Sequence, residues 1–510
     1  MRKRYVSIGI DIGTGGCKTT IIGNDGSVVS SAFQEYPTAC PKPLWSEQDP
    51  HDWYNAFLTS LKVALEKGAV GHGEVTSICV DGQIHTLVLL DNNNSIVRPA
   101  IVWTDQRSAE QSNQLKKTNG NLFLEIGHNQ VNPTWTISML AWIRENEPQI
   151  WNKISKLMLP KDYIRFKLTE RWATDWTDAA GTLLADIEKN EWSDALCETI
   201  KLSREVLPEI LPPMEVAGKI TKQAAGETGL PEGTPVVVGS SDPAAEIFGT
   251  GMFQKNQLTV KLATAGVVFL TTEKPNPHPK ILTYPHVIPG MWFSVAGTNS
   301  CCSSVRWFRD IFCGEETAVA KQLNLSPYEL MDEEAGNVDT GSDGLFYHPY
   351  LLGERSPYWD PDLRGSFTGI RMSHQKRHFI RSIFEGVSFS VKDCLNLILS
   401  VMEKKGIEVN EKEKAILLGG GSKSKVWSQI LSDVLGIELG KLESVDASFG
   451  SALIGGVGVS LFENPQEAVH TCVRISDTIK PDSQNHSLYT KRFTQYIKIH
   501  DALADIYREM

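Results

Sequence analysis

One carboxylate stands where a strand gives way to a helix, in Thr234-Pro235-Val236-Val237-Val238-Gly239-Ser240-Ser241-Asp242-Pro243-Ala244-Ala245. A buried β-branched strand delivers Asp242 to its carboxyl end, and the alanines after it let a helix start close by. That placement suits a general base taking a hydroxyl proton, and it also suits a plain helix N-cap. Near the amino terminus, Ile8 to Lys18 forms a strand that turns over glycines into a second strand. Gly13, Gly15 and Gly16 let backbone N–H groups approach a phosphate, Thr14 and Lys18 add donors, and Asp11 is placed to hold Mg²⁺ through water. A related turn, Ala263-Thr264-Ala265-Gly266, lies about a domain further on. The strand Ala415-Ile416-Leu417-Leu418 opens into Gly419-Gly420-Gly421-Ser422, and Lys423 or Ser424 begins a helix through Leu435. A strand, a glycine run and a helix N-terminus together suit a nucleotide. Asp81-Gly82-Gln83-Ile84-His85-Thr86 ends the apolar strand Thr76 to Val80, which makes Gln83 and His85 candidates for hydroxyl recognition. Asp105 and Arg107 either pair with each other or face the same pocket as His85.

These groups need scaffolds, and the hydrophobic pattern supplies two similar ones. Strand, turn with Thr and Gly, strand occurs at Ile8 to Ile22 and again at Leu258 to Leu270. Such a pair indicates a duplicated fold gripping phosphates from both sides, the organisation of the actin-like ATPase superfamily; two chance hairpins are the plain alternative. An amphipathic helix is predicted from about Asp52 to Lys67, and a long one, apolar on one face, from Gln375 to Met402. The helix Ala447 to Val459, after Ser444-Val445-Asp446, is expected to close the second core, with a helical tail beyond it.

The bulk properties agree with a two-part protein that handles small molecules. A chain of 510 residues exceeds one ordinary core, and two domains of about 250 residues are the natural division. A net charge of -11 with no basic block argues against a nucleic-acid surface. The basic start Met1-Arg2-Lys3-Arg4 runs into a strand rather than a signal peptide's apolar region, and the glycine-rich run Ala447 to Phe462 falls short of the about 20 apolar residues of a membrane span. Nine scattered cysteines without a CxxC pair fit neither a disulfide framework nor a zinc site, so a cytoplasmic protein is expected. No GxxxxGK[ST] occurs, Lys18 stands where GxGxxG needs its last glycine, and HExxH and GxSxG are missing.

Gly365, Phe367, Gly369, Ile370, His378, Phe379, Ser382, Ile383 and Glu385 fit the carboxy-terminal signature of the FGGY family of carbohydrate kinases, and the chain resembles that family over nearly its whole length. Within the family, Pro43 to Pro50, Gly82-Gln83-Ile84-His85, Leu159 to Tyr163, Gly353 to Pro357 and Ser422 to Gln429 are similar to bacterial xylulokinases. The resemblance implies an α/β fold of two ribonuclease-H-like domains, 1–247 and 248–510, with a deep cleft between them. It implies transfer of the γ-phosphoryl group of ATP, with Mg²⁺, to a hydroxyl of a ketopentose such as D-xylulose. Asp242 takes the position of the catalytic base and Asp11 that of the carboxylate organising Mg²⁺. Gly13, Thr14 and Lys18 fall with one phosphate turn and Thr264, Ala265 and Gly266 with the other; Gly420, Gly421 and Ser422 fall at the adenosine site. Gln83, Ile84 and His85, with Asp105 and Asp242, fall where the ketose binds. The chain departs from the family pattern at Ile84, Thr86, Met139, Ser240, Ser241, Pro243, Ala263 and Ala265. Another ketose, a polyol, an autoinducer-2-like acceptor, a non-catalytic sugar or nucleotide sensor and a polymerising ATPase are the alternatives. A homodimer is left open.

Overall fold

The computed structural model describes residues 4–407, 409, 414–443 and 445–510; Met1 to Lys3 of the basic start and Ser444 lie outside the described residues. The strand Val6–Ile12 is buried on both faces, which marks it as central. It pairs antiparallel with Gly16–Gly23 and parallel with Val75–Gly82. Val28–Glu35 extends the hairpin on one side, and Pro235–Val237 and Val216–Lys219 complete the other, giving six strands.

The second sheet repeats this plan. Leu258–Leu262 pairs antiparallel with Gly266–Thr272 and parallel with Ala415–Leu418. Trp292–Thr298 follows the hairpin, and Leu439–Leu442 and Ile475–Ile479 follow the parallel strand, in parallel and antiparallel sense. Leu282–Pro285 is an added edge strand. Ile475–Ile479 corrects the expectation of a purely helical tail: it is a mostly exposed edge strand, so its sequence lacks the apolar pattern of a core strand.

Each sheet is covered by a helix whose sequence explains its start and its buried face. Pro50–Gly68 begins after Asp49, whose side chain accepts the His51 N–H, and it buries Trp53, Phe57, Leu61 and Ala64 at helical spacing against the first sheet. Lys376–Lys404 buries Ile380, Ile383, Phe384, Val387 and Val391 against the second.

The helix Ala447–Gly458 does not close the second core. It packs on Val6–Ile12 and Val75–Gly82 of the first sheet and crosses the helix Asp242–Gly249. The reason is its small-residue surface: a β-carbon at Gly9 would lie 1.9 Å from the Ser448 carbonyl oxygen, and one at Gly450 would lie 1.9 Å from that of Ala245. Ser7 Oγ donates to the Ala452 carbonyl at 2.7 Å. Phe248, Phe449, Leu453 and Ile454 join a cluster that also takes in Tyr284 and Phe293 of the second sheet, so the two halves share a core. Among the described residues no helix is long and apolar enough to cross a membrane, and all nine cysteines are free.

Gly450→Ala should lower stability by about 1–3 kcal/mol, the usual cost of overpacking. Gly73→Ala, with nothing within 4 Å of its β-carbon, should stay within about 0.5 kcal/mol of the parent. Urea denaturation midpoints of the two variants check this.

Candidate functional site

Three parallel strands of the first sheet end at one edge. Asp11 pairs in register with Asp81, and Gly82 bridges to Ser241, so Asp242 follows immediately beside them. All three carboxyl groups are shifted upward. Burial raises Asp11, and the charges of Asp242 and Asp446 raise it further; burial and then Asp11 raise Asp81. Burial lifts Asp242 to about 7, against the Ile84 N–H and the Lys261 charge. Asp242 Oδ1 accepts that N–H at 2.9 Å. Asp81 Oδ2 accepts from Ser451 Oγ at 2.5 Å, while Asp81 Oδ1 and Asp11 Oδ1 are buried without a donor. Asp81 is a member of this edge that the sequence reading missed; the strand register is the signal that finds it.

Pro243 sits in the first turn of the helix Asp242–Gly249, where the missing N–H has no intrahelical partner to lose. This departure therefore leaves Asp242 in place. The loop before it is held from below, because Ser241 N–H donates to Thr177 Oγ1 at 2.8 Å. Thr177 belongs to the short helix Trp176–Thr182, and the fully buried Lys161 ammonium ties its first turn down through Asp162, Asp175 and Asp178 at 2.5, 3.1 and 3.1 Å.

Gln83, Ile84 and His85 follow the strand end and lie buried beside Asp242. Gln83 Nε2 donates to Gln48 Oε1 at 2.8 Å, and Gln83 Oε1 is buried without a partner. Ile84 gives its N–H to Asp242 and lays its side chain against Gly181. His85 Nδ1 lies 2.6 Å from the Gly181 carbonyl, which can only accept, so Nδ1 carries the proton and Nε2 is an acceptor. Burial pushes His85 down to about 4, which keeps the ring neutral. Trp135, with a buried and unpartnered Nε1, lies 4.3 Å from the His85 ring and stacks on Tyr284 at 5.9 Å. The Tyr284 hydroxyl is 3.4 Å from His85 Nε2. Tyr284 comes from the second sheet, and Asn129 fixes its strand by bonding the Thr283 carbonyl and N–H at 2.7 and 2.9 Å. Neither aromatic was singled out from sequence, since nothing local marks an edge strand as part of a cluster in the other half.

Asp105 is not free for a ligand. Its oxygens accept from Ser46 N–H at 2.6 Å, Arg107 N–H at 2.8 Å and the Arg107 guanidinium at 2.7–3.0 Å, in a buried pair stacked on Trp45. The Lys18 ammonium, which is partly exposed, pairs with Asp446, the N-cap of the helix Ala447–Gly458. Among the other turn residues, Gly15 has open space at its α-carbon, Gly16 is packed against Phe33, and Thr14 accepts the Trp103 indole N–H at 2.9 Å. Across the molecule, the Thr264 carbonyl accepts Cys301 N–H and Ser303 Oγ at 3.0 and 2.9 Å, which fixes Ala263 to Gly266 on the helix Cys302–Phe312. Gly420 is open, and Gly421 packs on Leu262 and Trp427. The helix Lys425–Leu435 starts after Ser424, but Asp332 already occupies its N-terminus through Ser424 Oγ and the Lys425 N–H. This helix end is therefore already taken by a carboxylate, whereas the glycine loop is open at Gly420.

Two similar sheets with these turns and a carboxylate edge define an actin-like ATPase fold, two ribonuclease-H-like α/β domains with a cleft between them. The descriptions "FGGY family of carbohydrate kinases, N-terminal domain" and "C-terminal domain" match residues 6–249 and 258–459. A xylulose kinase of Bacillus subtilis (strain 168) is 30% identical over 506 residues, 99% of this chain and 98% of that protein. A gluconokinase of the same organism is 28% identical over 88% of this chain and 86% of its own. A solved "xyloylose kinase" from Brucella ovis superposes with a TM-score of 0.87 at 29% identity, covering 98% of this chain and 100% of that one. The chain belongs to the FGGY family of carbohydrate kinases. It is a sugar kinase, a phosphotransferase similar to xylulose kinases.

Asp332→Ala removes the acceptor at the helix Lys425–Leu435 and should cost about 1 kcal/mol of stability. Thermal melting with and without the substitution reads the loss.

Proposed function

We propose that the enzyme phosphorylates a ketopentose from ATP, with D-xylulose the leading acceptor. The observation that carries this reading is Asp242, with one oxygen fixed by the Ile84 backbone N–H and no side chain among the described residues bonded to it, beside a neutral imidazole and an amide oxygen and an indole N–H that lack partners among those residues. Such a setting offers donors and acceptors to hydroxyl and keto groups without a full charge. Its aromatic faces suit the C–H faces of a carbon chain.

In this reading the acceptor hydroxyl oxygen bonds to the γ-phosphorus as the bond to the leaving ADP oxygen breaks, and Asp242 takes the hydroxyl proton. The turns at Gly13–Thr14 and at Thr264–Gly266 cradle the phosphates, and Gly420 to Ser422 faces the adenosine. Ile84 orients the base, Gln83 and His85 bind the ketose, and Lys18 and Asp105 act one step back, by fixing Asp446 and Arg107. The boundary between the two family domains is placed at 247/248.

The acid edge fits a divalent cation. Asp11 Oδ1 is buried and lacks a donor among the described residues, and burial and the neighbouring carboxylates raise it, a penalty that a bound cation would offset. Among the described residues no group of three or more His, Cys, Asp or Glu side chains forms a direct metal cage, and Asp11 would hold Mg²⁺ through water with Asp81 behind it. The bound ion would neutralise phosphate charge. Pro243 is accommodated in the helix's first turn, which favours a working enzyme over a sensor.

Asp242→Asn should lower kcat about 10²–10⁴-fold while ATP affinity stays within about twofold; near-parental turnover with D-xylulose and ATP would sink the assignment. Because the base acts deprotonated and lies near pH 7, kcat/KM should climb tenfold per pH unit below about 7 and level off above it. A profile flat from pH 5.5 to 8 would contradict Asp242 as the titrating group.

A further inference from the structure

Arg355 has no assigned place in this scheme, yet it is the one arginine among the described residues with a buried Nε and no side-chain hydrogen bond or ion pair. Its loop is firmly fixed. Glu354 accepts Thr298 Oγ1 at 2.5 Å and the Asn299 and Arg355 N–H groups at 2.8 and 2.7 Å. Ser356 N–H donates to the Gly297 carbonyl at 3.2 Å, and Ser356 Oγ and Trp359 Nε1 both reach the Lys280 carbonyl. Apart from the charge of the adjacent Glu354, which hydrogen-bonds the loop backbone instead, the guanidinium has no bonded partner among the described residues.

The position of its guanidinium is set by Gly297. A β-carbon there would lie 3.0 Å from Arg355 Nη2 and 3.0 Å from the Gly266 carbonyl oxygen, so the absent side chain is the seat of the arginine. Gly297 pairs with Val267, Val267 with Lys261, and Phe293 with Tyr284. Alternation along the strands puts Lys261, Val267, Gly297 and Tyr284 on one face. That face looks into the cleft, because Lys261 bonds Glu246 on the Asp242 helix at 2.7 Å and Tyr284 reaches His85. Arg355 thus lies between the last residue of the turn Thr264 to Gly266 and the aromatic wall of the acceptor pocket; burial raises the Tyr284 hydroxyl, the Arg355 charge pulls it down and that of Asp242 pushes it up.

We propose that Arg355 binds an oxyanion in the cleft, carried by the phosphoryl group in transfer or by the acid end of an aldonate acceptor. The inference rests on the kinase reading, since it places the anion between that reading's phosphate turn and its acceptor pocket. A planar guanidinium that hydrogen-bonds no group among the described residues can meet two oxygens of either group side by side. The gluconokinase relative has a name that specifies an acid acceptor.

Binding measured without turnover tests it. The full chain, Arg355→Met and Gly297→Ala are titrated calorimetrically with inorganic phosphate in the presence of Mg-ADP, and separately with D-gluconate. Arg355→Met should lose at least about tenfold in affinity for one probe, with Gly297→Ala losing less for the same probe because it displaces the charge without removing it. Loss for phosphate assigns the transferring group, and loss for gluconate assigns an acidic acceptor. Arg355→Gln, which keeps more of the side chain's polarity, serves in place of Arg355→Met if the latter melts early. Parental affinity of the variants for both probes, or no binding of either probe by the parent, overturns the inference. Turnover of D-xylulose by the parent is read separately, so failure of the kinase reading is told apart from failure of the Arg355 assignment.

Discussion

The contact on which the rest of the structure depends is that of the helix Ala447–Gly458 against the strand Val6–Ile12. It is made through backbone: Gly9 admits Ser448, and Gly450 admits Ala245. At such range dispersion is gained along the whole contact, and a single added methyl would separate the surfaces. The same helix delivers Ser451 to Asp81 and, through its N-cap, Asp446 to Lys18. It also lies behind the helix that starts at Asp242. The site in the first half is therefore assembled on an element from the second.

That arrangement has an electrostatic consequence. Asp11, Asp81 and Asp242 are gathered in a poorly solvated edge where their ionised forms repel, and each is driven upward by burial first. An edge of this kind is costly to keep charged and favours occupation by positive charge. Lys261 supplies part of that charge from the second sheet while bound to Glu246. The buried Lys161 cluster is separate: one ammonium bonded to Asp162, Asp175 and Asp178 helps fix the loop that carries Ser241.

The cluster of His85, Trp135 and Tyr284 shows how far two halves of a duplicated fold can be joined. Asn129 grips the backbone at Thr283, and Trp176 Nε1 donates to the His286 carbonyl at 2.8 Å. These bonds hold the extra edge strand of the second sheet onto the first half and bring Tyr284 to His85 and Trp135. A cluster made in this way is coupled to the relative position of the halves. Any movement that opens the cleft strains the Asn129 grip or carries Tyr284 with it.

The sequence by itself determined the duplication, the two hairpins, the strand-to-helix step at Asp242 and the His85 pocket strand, because each is written in local periodicity, glycine placement and a strand's carboxyl end. It identified the family on the signature from Gly365 to Glu385. Only the tertiary structure decided that Lys18 and Asp105 are held by Asp446 and Arg107, that Asp332 fills a helix end, and that Ala447–Gly458 belongs to the first sheet. The Lys18 and Asp332 pairs join residues 428 and 93 apart, which no local pattern records, and for Asp105 the fold chooses its near neighbour Arg107, with the Ser46 N–H 59 residues away, over the alternative of facing the pocket. Tyr284 and Arg355 follow the same rule. Their residue types are ordinary, and what sets them apart is the strand face and the empty side of Gly297 onto which the chain folds them.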